Sequence, residues 1–491
     1  MTPRATWLDK AIGWISPKAG LERLQFRAAY QTGYDAVRKS RLNKTRDRSG
    51  GSGDDTLDHD SLWELRETSR DLYRNNGLFK GLINTAVRNV IGCGWKLEHH
   101  PDVEAAWNDW IKKGNCDARN KQAFWSMMRC GLRSQFIDGD HLYQKRENYS
   151  LMPIESDRLL SYSGAPPQLV NGIETDRNGA PRRYWIADYV KTRNEREGIT
   201  YGYARESQGR FVDADRIVHQ VDWERASHTR GVPVAASMIR ELDDLDSILV
   251  STRVAARIAA MLSFVITKNQ NAEAFAEAMA NRDPNLQDDD ALEPRIEDMQ
   301  PGEIQYLNTG EDMKSVGSEH PSQHFEPFVR LMSRLIGVPL GIPLELVLLD
   351  SSLGNFSNMR GVLQQAHKSF EDIQEFSVTP VLDDVFMWWS RWQVESGELP
   401  AARFNKQMAK WIPPGWPYIE PSKDVAADAE SVKLRTNSRT RIAARRGEDI
   451  NEIMDELERE EKELERRGIP MLGTAPLMTE ASTRADKGME P

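Results

Sequence analysis

The sequence predicts an α+β fold in which helix predominates. Three features carry that expectation. Apolar residues recur at three- and four-residue spacing from Thr229 to Ile266, short strand-like runs fill 150–223, and amphipathic helical patterns flank both. At 491 residues the chain is long enough for two or three domains with cores of their own.

Residues 1–60 read as a basic, flexible arm. A short amphipathic pattern (Trp7, Leu8, Ile12, Trp14, Ile15) stops at Pro17, and lysines and arginines from Lys18 to Arg48 then outnumber Glu22, Asp35 and Asp47. Such an arm suits contact with nucleic acid or a partner shell, or simple solvation. Ser49-Gly50-Gly51-Ser52-Gly53-Asp54-Asp55 is a linker composition. Ser61, with Glu64 three residues on, predicts a capping box that opens the ordered body. Leu62, Leu65 and Leu72 continue that helix to Asn75-Asn76-Gly77, and Leu82, Ile83, Ala86, Val87 and Val90 mark a second. Gly92-Cys93-Gly94 turns into a strand at Trp95-Lys96-Leu97. Residues 102–137 read as helix, with Trp107, Trp110, Phe124 and Trp125 as core candidates.

Leu151–Ile154, Tyr184–Ala187 and Ile217–Val221 are short apolar runs between turn signals such as Asn171-Gly172 and Asn178-Gly179. His219, in the last of them, reads as a structural histidine. Arg230-Gly231-Val232-Pro233 predicts the start of a long helix, since proline is tolerated in a first turn. Val234, Met238, Leu242, Leu245, Leu249, Thr252, Ala256 and Ala259 then share one stripe. About thirty helical residues would rise roughly 45 Å. Glu241, Asp243, Asp244 and Asp246 lie mostly opposite, and Ala255, Ala256, Ala259 and Ala260 would let a neighbouring backbone approach. A strut packed against copies of itself fits this pattern better than a catalytic scaffold.

From 270 to 303 the composition turns acidic, and Asn281–Asp290 reads as an exposed loop rather than a metal site, because its spacing fits no EF-hand. Phe325–Leu335 is a short amphipathic helix closed by Gly337 and Pro339. Gly341–Asn355 is irregular. A long helix starts at Ser357 or Asn358 and runs to Pro380, and a tryptophan-rich helix follows (Trp388, Trp389, Trp392). Beyond the rigid turn Pro413-Pro414-Gly415-Trp416-Pro417, helices are expected at Val425–Leu434, Ser438–Arg446 and Glu448–Arg467. The last carries a thin stripe of Ile450, Ile453/Met454, Leu457 and Leu464.

Charge and composition exclude several classes. With 65 basic and 75 acidic residues the net charge is −10, which argues against tight, static DNA binding. Cys93, Cys116 and Cys130 share no metal or redox spacing and are odd in number, as in a reducing cytoplasm. No apolar run reaches the roughly twenty residues of a membrane helix, and the first twenty residues lack the apolar core of a secretory signal. A soluble intracellular chain, without membrane contact, is expected. No P-loop, G-x-S-x-G, H-E-x-x-H or C-x-x-C pattern occurs. His99-His100 lacks a third ligand and reads as a solvated turn; His59-Asp60 lacks the helix that a metal phosphohydrolase would need. The expectation is no enzyme, no metal and no cofactor.

Several segments, in their joint order, resemble the lambda-type family of tailed-phage portal proteins. They begin with Arg70-Asp71-Leu72-x-Arg74-Asn75-Asn76 and Asn89-Val90-Ile91-Gly92-Cys93-Gly94. Ile154-Glu155-Ser156-Asp157-Arg158-Leu159, Asn171-Gly172-Ile173-Glu174 and Ile217-Val218-His219 follow, ahead of Arg230-Gly231-Val232-Pro233. The later half supplies Pro301-Gly302-Glu303, Leu335-Ile336-Gly337-Val338-Pro339, Asn355-Phe356-Ser357-x-x-Arg360 and Trp411-x-Pro413-Pro414-Gly415-Trp416. Phe356-Ser357-Asn358-Met359-Arg360 stands where the family commonly has a Tyr-Ser-Ser-Ala-Arg-like run, and Gly341-Ile342-Pro343-Leu344 carries an unusual proline-glycine insertion.

The resemblance implies a homo-oligomeric ring, usually of twelve, at one capsid vertex. Double-stranded DNA enters and leaves through it. Implied partners are the terminase large subunit, the major capsid protein and scaffold, and a head-completion or adaptor protein. The implied parts are an α+β wing at 61–230, a stem helix at 231–262, a clip at 263–320 and a returning stem helix at 321–348. A channel loop and helix at 349–390 and a crown with C-terminal tail at 391–491 complete it. Asp350, Ser351, Ser352, Leu353 and Asn355 would line the channel, Arg360 would anchor the loop or bridge subunits, and Asp288, Asp289, Asp290 and Glu293 would face the terminase. The location implied is the virion, with the host cytoplasm during assembly. Two other classes stay open on the residues alone: a phage-encoded metal-dependent hydrolase using 283–298, and a monomeric DNA-binding adaptor using the basic arm.

Overall fold

The computed structural model describes residues 51–57, 59–159, 161, 166, 168–194, 198–203, 209–261, 265–268, 311–314, 325–350, 356–404 and 409–469. The chain divides into two units. One comprises residues 1–58 with Arg225–His228, and the other comprises the rest. In the first, the Arg225 guanidinium donates to the carbonyls of Gly51 and Ser52 at 3.1 and 3.3 Å, and the Gly53 N–H donates to Ser227 Oγ at 2.7 Å.

The second unit opens with helix α1 (His59–Asn75), two residues before the expected cap at Ser61. Ser61 lies inside the first turn rather than at the cap position. Asn76 caps α2 (Gly77–Ile91) by accepting from the Phe79 N–H. Strand β1 (Lys96–Glu98) follows, then α3 (Pro101–Trp110), capped by His100. The continuous helix expected over 102–137 is interrupted. A loop at 111–123 separates α3 from α4 (Phe124–Asp138), because the buried Asp117 carboxylate takes the N–H groups of Arg119, Lys121 and Gln122 at 2.9–3.0 Å. An aspartate that binds nearby backbone donors competes with the helix for them.

Two antiparallel sheets form the β region. One has the order β10 (Ile217–Val221), β2 (Asp140–Lys145), β3 (Leu151–Ile154). The other has the order β4 (Leu169–Val170), β5 (Ile173–Thr175), β6 (Pro181–Ala187), β9 (Gly209–Asp213). Leu142, Ile154, Ile173, Tyr184, Ile186 and Val212 make a core between them. Strands β7 (Tyr189–Asn194) and β8 (Gly198–Tyr203) pair separately.

The predicted long helix is shorter than its stripe suggests. Pro233 is extended, Val234–Ser237 is a 3₁₀ turn, and α5 runs from Ile239 to Met261, 23 residues or about 34 Å. Ala235 and Met238 are fully buried, so the residues read as the first helical turn are used as a packed corner instead. Past α5 the chain pairs β11 (Val265–Lys268) with β12 (Glu311–Lys314), and the acidic run at 281–290 lies outside the described residues.

Helix α6 (Phe325–Gly337) packs back against α5. A one-turn helix, α7 (Leu344–Val347), interrupts the stretch expected to be irregular. Helix α8 (Phe356–Ile373) does not stop before Pro380. It passes through a π-helical segment, Gln374–Val378, into α9 (Thr379–Glu395). Proline lacks an N–H and crowds the carbonyl four residues back, and the widened turn accommodates it. Strand β13 (Lys410–Ile412) pairs antiparallel with β1. Helices α10 (Pro421–Lys433), α11 (Arg439–Arg445) and α12 (Ile450–Arg467) follow, and α12 ends at Gly468, whose φ of +67° favours glycine.

The principal core lies where the start of this unit meets its later helices. Trp107 is buried with its ring 5.2 Å from Trp389, 5.5 Å from Phe124 and 5.5 Å from Trp411. Cys116 is buried, and Cys93 and Cys130 are exposed free thiols.

Candidate functional site

Among the described residues, a dense charged cluster is buried where the β region joins the chain that becomes α5. Arg66 and Arg70 stand one turn apart on α1 and so share a face. Facing them are Asp138 at the end of α4, Asp140 at the start of β2, and Asp157 in the 3₁₀ turn after β3. Arg230 enters from the segment leading to α5. Its Nε donates to Asp140 Oδ2 at 2.6 Å and its Nη2 to Asp140 Oδ1 at 3.0 Å. The remaining donors reach the carbonyls of Leu159 at 2.9 Å, Ser156 at 3.0 Å and Asn171 at 3.1 Å. Arg66 donates to Asp140 at 3.3 Å and to the Asp138 carbonyl at 2.7 Å. Arg70 binds Asp138 at 2.7 Å and also binds Asp157.

Burial opposes ionisation of Asp140, but Arg230 and Arg66 outweigh it and hold its pKa well below the usual carboxylate range. Burial, with the charge of Arg230, lowers Arg66 to about 10, which leaves it cationic at neutral pH. His219 Nε2 lies 3.4 Å from Asp140 Oδ2, as suits a structural histidine. Burial pushes the neighbouring His141 down to about 4. Beneath the cluster two backbones cross. A Cβ on Gly231 would meet the Gly139 carbonyl oxygen at 1.9 Å, so Arg230 is held in a crossing that admits only glycine. The three carboxylates each face a guanidinium and none is left as a base. This is a clamp that fixes the entry to α5, not a reaction centre.

The expected channel and anchor residues fall elsewhere. Asp350 follows α7, where its N–H donates to the Glu345 carbonyl at 3.0 Å. Ser351, Ser352, Leu353 and Asn355 lie outside the described residues, as do Asp288, Asp289, Asp290 and Glu293. Arg360, one turn into α8, donates from Nη2 to Asp424 Oδ1 at 2.7 Å and lies 3.7 Å from Glu420. Its carboxylate partners therefore come from α10 and from the residue that precedes it in the same chain. His100 caps α3 and faces Arg403, and among the described residues no group of three or more His, Cys, Asp or Glu is placed to hold a metal. Among them also no helix is long and apolar enough to cross a membrane.

The family described as phage portal protein, lambda family, matches residues 39–374, more than half of the chain. The chain belongs to the lambda family of phage portal proteins. It is 24% identical over 465 residues to the probable portal protein of Halomonas phage phiHAP-1, with 89% of this chain and 88% of the relative covered. It is 21% identical to the portal protein of Escherichia phage N15 (81% and 84% covered) and 20% identical to portal protein B of Escherichia phage lambda (81% and 83%). Among solved structures it is similar to a chain of the virion of a native gene transfer agent particle, at 14% identity and a TM-score of 0.44, covering 78% of this chain and 92% of that one. The portal family is one of structural proteins rather than enzymes.

Most members of the clamp carried weak signals in this portal sequence. Arg70, Asp157 and Arg230 sit inside segments that resemble the family, yet Arg230 reads locally as part of a helix start. Asp140 shows only as a polar residue after a glycine, and nothing local says that it is fully buried. The six charged members come from four well-separated segments, and pairing between such segments is what a local reading misses.

Proposed function

We propose that copies of this chain close into a ring, twelve in number as the family resemblance implies, at one capsid vertex. Double-stranded DNA passes through the ring during packaging and ejection. In this reading residues 61–230 are the wing, α5 and α6 the two stem helices, 263–320 the clip that receives the terminase, and the helices after 391 the crown. The observation that supports it is apolar surface left uncovered among the described residues. Phe328, Leu331 and Leu335 form an exposed stripe along α6, continued by Val338 in the 3₁₀ turn after it, which is 67% exposed, and Val250 and Val254 are exposed on α5, against which α6 packs. Single exposed apolar residues are ordinary, but a continuous stripe on a helix pair marks an interaction face. Identical struts standing side by side would bury it.

Arg360 then acts as an anchor. It ties the first turn of α8, immediately after the channel loop 350–355, to α10 in the crown. The acidic balance suits a conduit, since phosphate contacts by lysine and arginine would hold DNA rather than let it slide. Negative-stain microscopy of the purified chain tests the proposal: rings with a central hole are expected. Compact single particles alone, even with capsid partners present, would overturn it.

A further inference from the structure

A cleft of about 570 Å³ opens in the wing where the end of β2 and its turn to β3 meet β9 and the segment leading into β10. Lys145, Arg146, Arg210 and Arg216 line it, against Glu147 and Asp213. Lys145 is built into the floor: it is nearly buried, and its Nζ donates to Asp384 Oδ1 at 2.7 Å and to the Asp215 carbonyl at 3.2 Å. Arg216 faces Glu147 at 3.4 Å. Arg146 reaches only the Gln144 amide oxygen, at 3.4 Å, and neither it nor the exposed Arg210 has an ion pair among the described residues. The cleft therefore keeps a positive excess in a chain whose total is −10.

The opposite charge is stranded at the start of α5. Asp243, Asp244 and Asp246 are exposed, while Leu242 and Leu245 between them are buried and fix the helix's rotation. None of the three aspartates forms an ion pair among the described residues, and the exposed Arg240 on the same turn pairs with none of them.

We propose that the basic cleft of one copy receives the Asp243–Asp246 turn of the next copy. This rests on the ring reading above and names the contact that sets the register between neighbours. Cleft and aspartates are different patches of one chain, so the contact is head-to-tail, the kind that generates rings when the rotation closes. Unpaired opposite charges on two patches steer encounter and fix register more than they add affinity. Glu147 and Asp213 in the cleft wall disfavour a nucleic-acid backbone as the occupant.

The test is charge reversal in the full chain, read by analytical ultracentrifugation and microscopy, with circular dichroism to check folding. The variants are R146E/R210E, D243R/D244R/D246R, and a chain carrying all five changes. At about 0.1 M salt each reversed chain should lose its ring fraction at least tenfold. The five-fold variant should recover it, and an equal mixture of the two reversed chains should form rings in which they alternate, which no folding defect can produce. Raising salt from about 0.1 M to about 1 M shortens the screening length from roughly 10 Å to roughly 3 Å and should weaken wild-type assembly. If both reversed chains form rings like the wild type, or if neither the five-fold variant nor the mixture assembles, the proposal is overturned while the ring stands. A wild-type chain that never forms rings overturns the ring and this contact together.

Discussion

Arg230 spends all its donors on one carboxylate and three carbonyls, in a place no water reaches. Removing one partner of such a buried pair leaves the other charged and unmatched. Arg230→Ala should therefore destabilise the chain by about 3–5 kcal/mol, measured by urea unfolding. The pH dependence has two windows. The His141 imidazole resists protonation to about pH 4, whereas in the unfolded chain it protonates near 6.5. The unfolded state then binds the extra proton, so stability falls as pH drops between those values, by about 3 kcal/mol in all. His141→Gln should flatten that slope in a pH series of unfolding curves. Asp140, held low by its arginines, contributes a loss only below the ordinary carboxylate pKa of about 4, as pH falls towards its folded value.

Among the elements, α8 and α10 are joined at Arg360, whose side chain is about a third exposed. A double-mutant cycle of Arg360→Ala with Asp424→Ala should give a coupling of about 0.5–1 kcal/mol, the range of half-exposed pairs. A coupling near zero would leave the anchor without support. Helices with a clear apolar stripe and a local stop were legible in the sequence: α6 and α12 lie within two residues of their expected bounds, and α2 contains all five apolar residues expected to mark it. The failures share one cause. Pro233 is a sound helix start locally, but Ala235 and Met238 are claimed by the core and the chain turns a corner there. Asp117 sits in a helical composition yet takes three backbone donors for itself. Pro380 reads as a stop until a π turn absorbs it, steadied by the Gln374 amide donating to the Val90 carbonyl at 3.1 Å. The clamp was illegible for the same reason, because burial of a charge is decided by distant segments.

Over the whole molecule, the proposed ring of twelve chains at −10 each would carry a formal −120, which favours a passage that does not grip phosphate. Its assembly would depend on the exposed stripe of α6. Leu331→Glu with Leu335→Glu should leave the circular-dichroism spectrum unchanged and shift sedimentation from ring to monomer; rings that persist would move the interface elsewhere.

The pairing of β1 with β13 and the packing of Trp107 on Trp389 and Trp411 also govern how the chain is made. During synthesis at about 5–20 residues per second, the early tryptophans must wait for partners about 300 residues downstream, roughly 15–60 s. Until then the ribosome holds a chain with an unfinished, sticky aromatic surface. A messenger truncated before the codon for Trp411 would yield a client for chaperones and proteases rather than a smaller functional subunit.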